Sequence, residues 1–228
     1  LNPATLEPMI ATIGRERPKG ICGSGLINMV ACMFEMGLID NRGKFDPDLK
    51  TARLRRTDGV LEFVLAWEKE TQIERDITLS EIDIENLIRA KGAIYSGCMT
   101  LLAEVGMGIQ NIERIVLAGG FGSFVDLDKA MTIGLLPEID PGRVTYLGNG
   151  SLLGARMSSL TNRIRRDVTE VIRKMTNFEL SETASYMDNY IAALFLPHTD
   201  LNLFPKLRAR IEESRRLRNR AVHSGAQR

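Results

Sequence analysis

The chain is poor in the side chains that usually carry catalysis. Its 228 residues hold two histidines, His198 and His223, and three cysteines, Cys22, Cys32 and Cys98. The cysteines are odd in number and widely spaced with no C-x-x-C pair, so neither a disulfide framework nor a four-cysteine metal site is expected, and buried free thiols are the simplest reading. No metal ligand set is predicted. Cys22 lies inside a glycine loop, but a nucleophilic thiolate needs a positioned base or another influence that lowers its pKa, and both histidines are remote in sequence. Asp126 and Asp128 read as helix caps and surface carboxylates, not as general bases. What remains is glycine. Three clusters, Gly20-Ile-Cys-Gly-Ser-Gly25, Gly119-Gly-Phe-Gly122 and Gly148-Asn-Gly-Ser-Leu-Leu-Gly154, each lead into a helical pattern. The second follows four core-type residues, Ile115-Val-Leu-Ala118. Glycine accepts positive φ and has no Cβ, so such loops let backbone approach a flat ring or a phosphate. Each alone also reads as a strand-to-helix turn. Three in one chain call for a common explanation.

The elements that position these loops alternate between strand and helix periodicity, which predicts an α/β layered fold. Expected strands are Glu7 to Ile13, Val60 to Trp67 and Asp76 to Leu79, the last two as a hairpin, then Arg114 to Ala118, Val144 to Leu147 and a short Phe178 to Leu180. Expected helices are Ser24 to Leu38, a long one from near Ser80 to Val105, a short one near Leu127 to Ile133, one from Asn149 or Gly150, and two around Arg165 to Met175 and Ala184 to Phe195. In the long helix Gly92 and Gly97 each cost on the order of 1 kcal/mol of propensity relative to alanine. Their small size therefore points to close approach of a ligand or another helix. Ser24 and Gly25 stand at a helix start, where free N–H groups favour a phosphate; Ser24 equally suits the N-cap of that helix.

With 44% hydrophobic and 26% charged residues the chain is a globular one, long enough for a substantial core. No run approaches the roughly 18 apolar residues of a membrane span, and no signal pattern opens the chain, so a cytoplasmic location is expected. The net charge of +1 is unevenly distributed: from Lys206 onward eight Lys or Arg face two Glu, leaving +6 there and −5 on residues 1–205. A boundary is expected after Pro205, with 206–228 a basic helical tail whose Arg215, Arg216, Arg218 and Arg220 are solvent-exposed. No aromatics interleave those arginines, which argues against a single-strand stacking platform, and no nucleic-acid partner is expected.

Taken together, the loops resemble the nucleotide-binding half of the actin, sugar kinase and chaperone ATPase superfamily, a ribonuclease H-like fold in which adenosine lies between a long helix and a strand ending in Gly-Gly. Arg89-Ala-Lys91 and Ile115-Val-Leu-Ala-Gly-Gly120 occur in that order. More specifically, Pro18-Lys-Gly-Ile-Cys-Gly-Ser-Gly-Leu-Ile27, Gly37-Leu-Ile-Asp40, Ala90-Lys-Gly-Ala-Ile-Tyr95, Leu117-Ala-Gly-Gly-Phe-Gly122 and Gly148-Asn-Gly-Ser-Leu-Leu-Gly-Ala155, with the closing Asp200-Leu-Asn-Leu-Phe-Pro205, resemble the C-terminal domain of the reductive activators of corrinoid proteins. The resemblance covers residues 1–205.

It implies ATP and Mg²⁺ as cofactors, Gly23, Ser24 and Gly25 against phosphate, Gly119, Gly120, Phe121 and Gly122 around adenine and the α-phosphate, and Lys91 on ribose or phosphate; a surface lysine with a snorkelling stem is the other reading of Lys91. It further implies an ATP-driven electron transfer from a two-iron, two-sulfur cluster to a Co(II) corrinoid, giving the Co(I) form used in methyl transfer, with a corrinoid protein as partner and a homodimer as a possible assembly. The cluster cysteines and both Asp-Ile-Gly-Thr-type phosphate loops are absent, so the chain is expected to be a C-terminal lobe fragment that is inactive alone. Rival readings are an activator of a radical dehydratase, another kinase of the superfamily, and a non-catalytic docking or dimerisation module.

Overall fold

The computed structural model describes residues 1–214. Helix α1 (Gly23–Met36) ends at Gly37, whose left-handed backbone returns its N–H to the carbonyls of Met33 and Phe34. A three-stranded antiparallel meander follows, β1 (Leu54–Thr57), β2 (Val60–Ala66) and β3 (Ile77–Ser80), with Thr57 paired to Val60 and Phe63 to both Leu54 and Leu79. Strand β1 escaped the sequence reading. Its signal is Asp58-Gly59, both at positive φ, the pair that a two-residue hairpin turn favours.

Ser80 then starts α2 (Glu81–Glu104) through a reciprocal cap, its hydroxyl accepting from the Asp83 N–H while the Asp83 carboxylate accepts from the Ser80 N–H. The main core forms where α1 and α2 meet the meander: Val30, Met33, Phe63, Leu79 and Ile84 are at most 1% exposed. A second core of Tyr95, Ala193, Phe204 and Leu207 joins α2 to α6 (Ala184–Ala193). The small residues of α2 serve this packing. A Cβ on Gly92 would come within 3.3 Å of the Ala193 carbonyl oxygen, so the glycine permits the close approach of two helices.

The other layer is a parallel pair, β4 (Ile115–Ala118) and β5 (Val144–Gly148), registered Ile115 to Val144 and Leu117 to Tyr146. Helix α3 (Leu127–Thr132) lies between them in sequence, and α4 (Gly150–Leu160) and α5 (Asn162–Lys174) follow. Neither α4 nor α5 has a buried residue, and Val116, Leu147 and Leu152 are exposed. Parallel sheets are normally covered on both faces; here both strands keep open positions.

Three expectations fail. Glu7 to Ile13 joins no ladder and runs into a 3-10 turn at Ile13, and Phe178 to Leu180 is not a strand: a strand needs a neighbour to satisfy its alternate N–H and C=O groups, and neither segment has one among the described residues. The cysteines are not buried; Cys22 and Cys98 are exposed and Cys32 is intermediate. Packing also continues past Pro205. The stretch 205–214 is helical, Leu207 is 2% exposed and Ile211 packs on the second core. Arg210 reaches both Asp128 carboxylate oxygens, at 2.9 and 3.0 Å, and the Thr132 hydroxyl. Arg215, Arg216, Arg218 and Arg220 lie outside the described residues.

Candidate functional site

The three glycine loops, far apart in sequence, converge. Because β4 and β5 are parallel neighbours, the turns that follow them emerge at one edge, and the Gly119 N–H donates to the Gly148 carbonyl at 2.6 Å. Gly119 has φ +102 and Gly148 has φ +67, conformations that side chains rarely adopt. A Cβ placed on Gly119 or Gly120 would meet nothing within 4 Å, so the backbone there faces open space large enough to receive a flat group. The turn is anchored from behind. Ser123 Oγ donates to the Gly119 carbonyl, and Tyr146 Oη donates to Val125.

The first loop joins this edge through Phe121. A Cβ on Gly23 would sit 2.5 Å from the Phe121 ring, so the absence of a side chain at Gly23 lets the ring lie on the first turn of α1. Ser24 and Gly25 line a cavity of about 840 Å³ that extends under residues 9–22, with Ile10, Ile21, Met29 and Ile77 among its apolar walls. Arg17 and Lys19 line it together with Glu16, and the positive end of the α1 dipole adds to their net positive charge, which makes this end of the cavity favourable to an anion. The buried Oδ1 of Asn28 has no hydrogen-bond partner among the described residues and belongs to a residue of the same wall. Open glycine backbone, an anion-favouring helix start and an adjoining cavity suit a nucleotide. For a divalent metal the fit is poor, since no group of three or more His, Cys, Asp or Glu converges among the described residues.

Cys22 is the N-cap residue of α1, and its Sγ lies 3.4 Å from Ser24 Oγ. Ser24 therefore does not cap the helix; it sits inside the first turn. The Ser24 hydroxyl, followed by the Gly25 N–H, holds the Cys22 thiol below its ordinary pKa. This influence on Cys22 was not legible in the sequence, where base and thiol were judged by distance along the chain. Among the described residues no imidazole assists it: His198 packs on Tyr95, with ring centroids 5.5 Å apart, and His223 lies outside those residues.

Lys91 departs from expectation in both directions. It is neither a surface lysine nor open to a ligand, being 0% exposed with its side-chain nitrogen donating to the carbonyls of Phe195 and Pro197. A ribose or phosphate cannot reach it in this arrangement. Asp126 and Asp128 behave as expected, one accepting from the Lys129 N–H at the start of α3 and the other paired with Arg210.

Comparison with known proteins places this geometry. A solved structure described as a reductive activator for corrinoid, iron-sulfur protein superposes with a TM-score of 0.81 at 47% identity, over 86% of this chain and 31% of the other. The corrinoid activation enzyme RamQ of Eubacterium limosum is 32% identical over 79% of this chain and 32% of its own length. A Co(II) methylated amine-specific corrinoid protein reductase of Methanosarcina barkeri is 31% identical over 69% of this chain and 25% of its own length. The chain thus spans about a third of these relatives or less. Residues 1–208 match the family described as the C-terminal domain of RACo, the ASKHA domain. The chain belongs to that family: it has the actin-like ASKHA fold and the C-terminal domain of the reductive activators of corrinoid proteins.

Proposed function

We propose that this chain is the nucleotide-binding part of an ATP-dependent reductive activator that returns Co(II) corrinoid proteins to Co(I) for methyl transfer. The observation that carries the reading is the meeting of three glycine loops, at Gly23, Gly119 and Gly148, on the carboxyl edge of a parallel strand pair, the position where open α/β sheets take their ligands. In this reading Gly119 and Gly120 leave room for the base, Phe121 and Gly122 shape the turn beneath it, and Gly23, Ser24 and Gly25 offer the phosphates the free N–H groups of α1.

Phosphoryl transfer depends on metal positioning and on charge stabilisation from several segments, and the described residues supply no acidic cluster for Mg²⁺. The electron source, a two-iron, two-sulfur cluster, likewise has no ligand set among the described residues. Both are assigned to parts of the protein beyond these residues, so the chain alone binds nucleotide weakly and does not hydrolyse it. The partner is a corrinoid protein, the location the cytoplasm, and dimerisation through this domain an accompanying possibility for assembly. No helix among the described residues is long and apolar enough to cross a membrane.

Two measurements test the reading. Equilibrium binding of an ATP analogue to full-length protein should saturate at one site per chain; absence of binding would leave a docking module. Visible spectra of a Co(II) corrinoid protein mixed with the reduced full-length protein should show Co(I) only when ATP is present. ATP binding without that change would favour an activator of a radical dehydratase or a kinase.

A further inference from the structure

The carbonyls that hold Lys91 belong to a turn where four parts of the fold meet. Leu196 is fully buried and its N–H donates to the Asn41 carbonyl at 2.8 Å, while the Thr199 N–H returns to Ala192 of α6 at 3.0 Å. The guanidinium of Arg42 lies over the Phe195 ring, 5.8 Å from its centroid. Gly134, at φ +74, packs so tightly beneath the turn that a Cβ there would overlap the Pro197 carbonyl. Turn 195–199 therefore ties the segment after α1, the segment after α3 and α6 together, and Lys91 is the bond to α2. The Pro197 carbonyl accepts from Nζ at 2.6 Å.

Full burial without a counter-ion favours one protonation state at this junction. A neutral amine places its two N–H bonds on the two carbonyls, leaves its lone pair unused and carries no charge to desolvate. An ammonium has three N–H bonds and a charge, and Lys91 forms no ion pair among the described residues. The groups around it do not change this. On the turn, His198 Nδ1 accepts from the Asp200 N–H, and Asp200 adds a carboxylate; on α2, Tyr95 Oη is buried without a hydrogen-bond partner among the described residues; α6 contributes Tyr190 and an exposed Asp188; the segment after α1 contributes the cation Arg42; after α3, Glu138 accepts from the N–H groups of Lys206 and Leu207. We propose that Lys91 is a proton-linked latch, which holds turn 195–199 against α2 when neutral and loosens the α2–α6 junction when protonated.

Burial pushes the pKa of Lys91 in the closed turn down to about 7, which opens an interval between about 7 and the ordinary lysine range. The sign follows. Over that interval the unfolded or opened form binds one more proton than the closed form, so closure strengthens as pH rises and is insensitive to this group below about 7. Neither neighbour competes in the window: burial and Lys91 lower His198, and burial pushes Tyr95 up to about 12.

The test is hydrogen exchange on the full-length protein from pH 6.5 to 9.5, corrected for intrinsic exchange, read on the peptide covering residues 192–200. Protection in the wild type should rise with pH above 7, by up to tenfold per unit, the limit for one proton, and should be flat in Lys91→Met. Equal slopes in both proteins, or no slope in the wild type, would overturn the latch. Should Lys91→Met fail to fold, lysine-selective isotope labelling of the wild type decides: one side chain titrating well below the rest supports the proposal, and titration of every lysine above pH 10 refutes it.

Discussion

Replacing Gly120 by valine separates ligand binding from folding at the glycine edge. Gly120 has an ordinary negative-side backbone, and a Cβ there meets nothing within 4 Å, so valine should be accommodated by the protein itself with little loss of stability. The same side chain projects into the open space above the turn. In the proposed site it would displace the base by roughly the thickness of a methyl group and remove its contact with the backbone, a loss of about 1 to 3 kcal/mol, equivalent to roughly a 5- to 150-fold weaker Kd. Gly119→Val is the control. At φ +102 it strains the backbone itself, so it should lower thermal stability by about 1 to 3 kcal/mol whether or not nucleotide binds there. The assay is calorimetric titration of an ATP analogue into full-length Gly120→Val alongside thermal melts of both variants. Unchanged affinity in a Gly120→Val protein that melts like the wild type would refute the placement of the base on this turn.

Other outcomes follow from packing and charge. Leu207→Ala removes a side chain that is 2% exposed; it should cost about 3 kcal/mol and lower Tm by roughly 6 to 12 °C, and a shift under about 2 °C would show that the stretch after Pro205 is an independent tail. Gly92→Val should destabilise by about 1 to 3 kcal/mol in a thermal melt, since its Cβ already presses on the Ala193 carbonyl at 3.3 Å; a neutral result would mean that α2 and α6 separate easily. Cys22 should be alkylated faster than Cys98 at neutral pH, because the Ser24 hydroxyl and the Gly25 N–H lower the first thiol while partial desolvation raises the second, whose residue is otherwise exposed. Ser24→Ala should narrow that difference, and equal rates in mass-spectrometric mapping would argue against the hydrogen bond.

The sequence by itself determined what depends on near neighbours in the chain. Periodicity placed α1, the long α2 and the strand running into Gly119 to within a few residues, and the strings around the glycine loops, in their order, carried a resemblance to the ASKHA fold; a turn at positive φ tolerates few residues besides glycine, so those loops are legible locally. Even β1 was written locally, in Asp58-Gly59. Tertiary structure decided what depends on partners far along the chain. Glu7 to Ile13 has strand composition but no ladder, because composition cannot supply the neighbouring backbone. Leu207 became core and Arg210 an inter-helix tie only through Tyr95 and Asp128, more than 80 positions away. Lys91 shows the limit most clearly: its place in a helical motif suggested a ligand contact, yet two carbonyls more than 100 residues distant enclose its amine. A side chain's role follows from the groups that desolvate and bond it, and for Lys91 those groups come together only when α6 folds back onto α2.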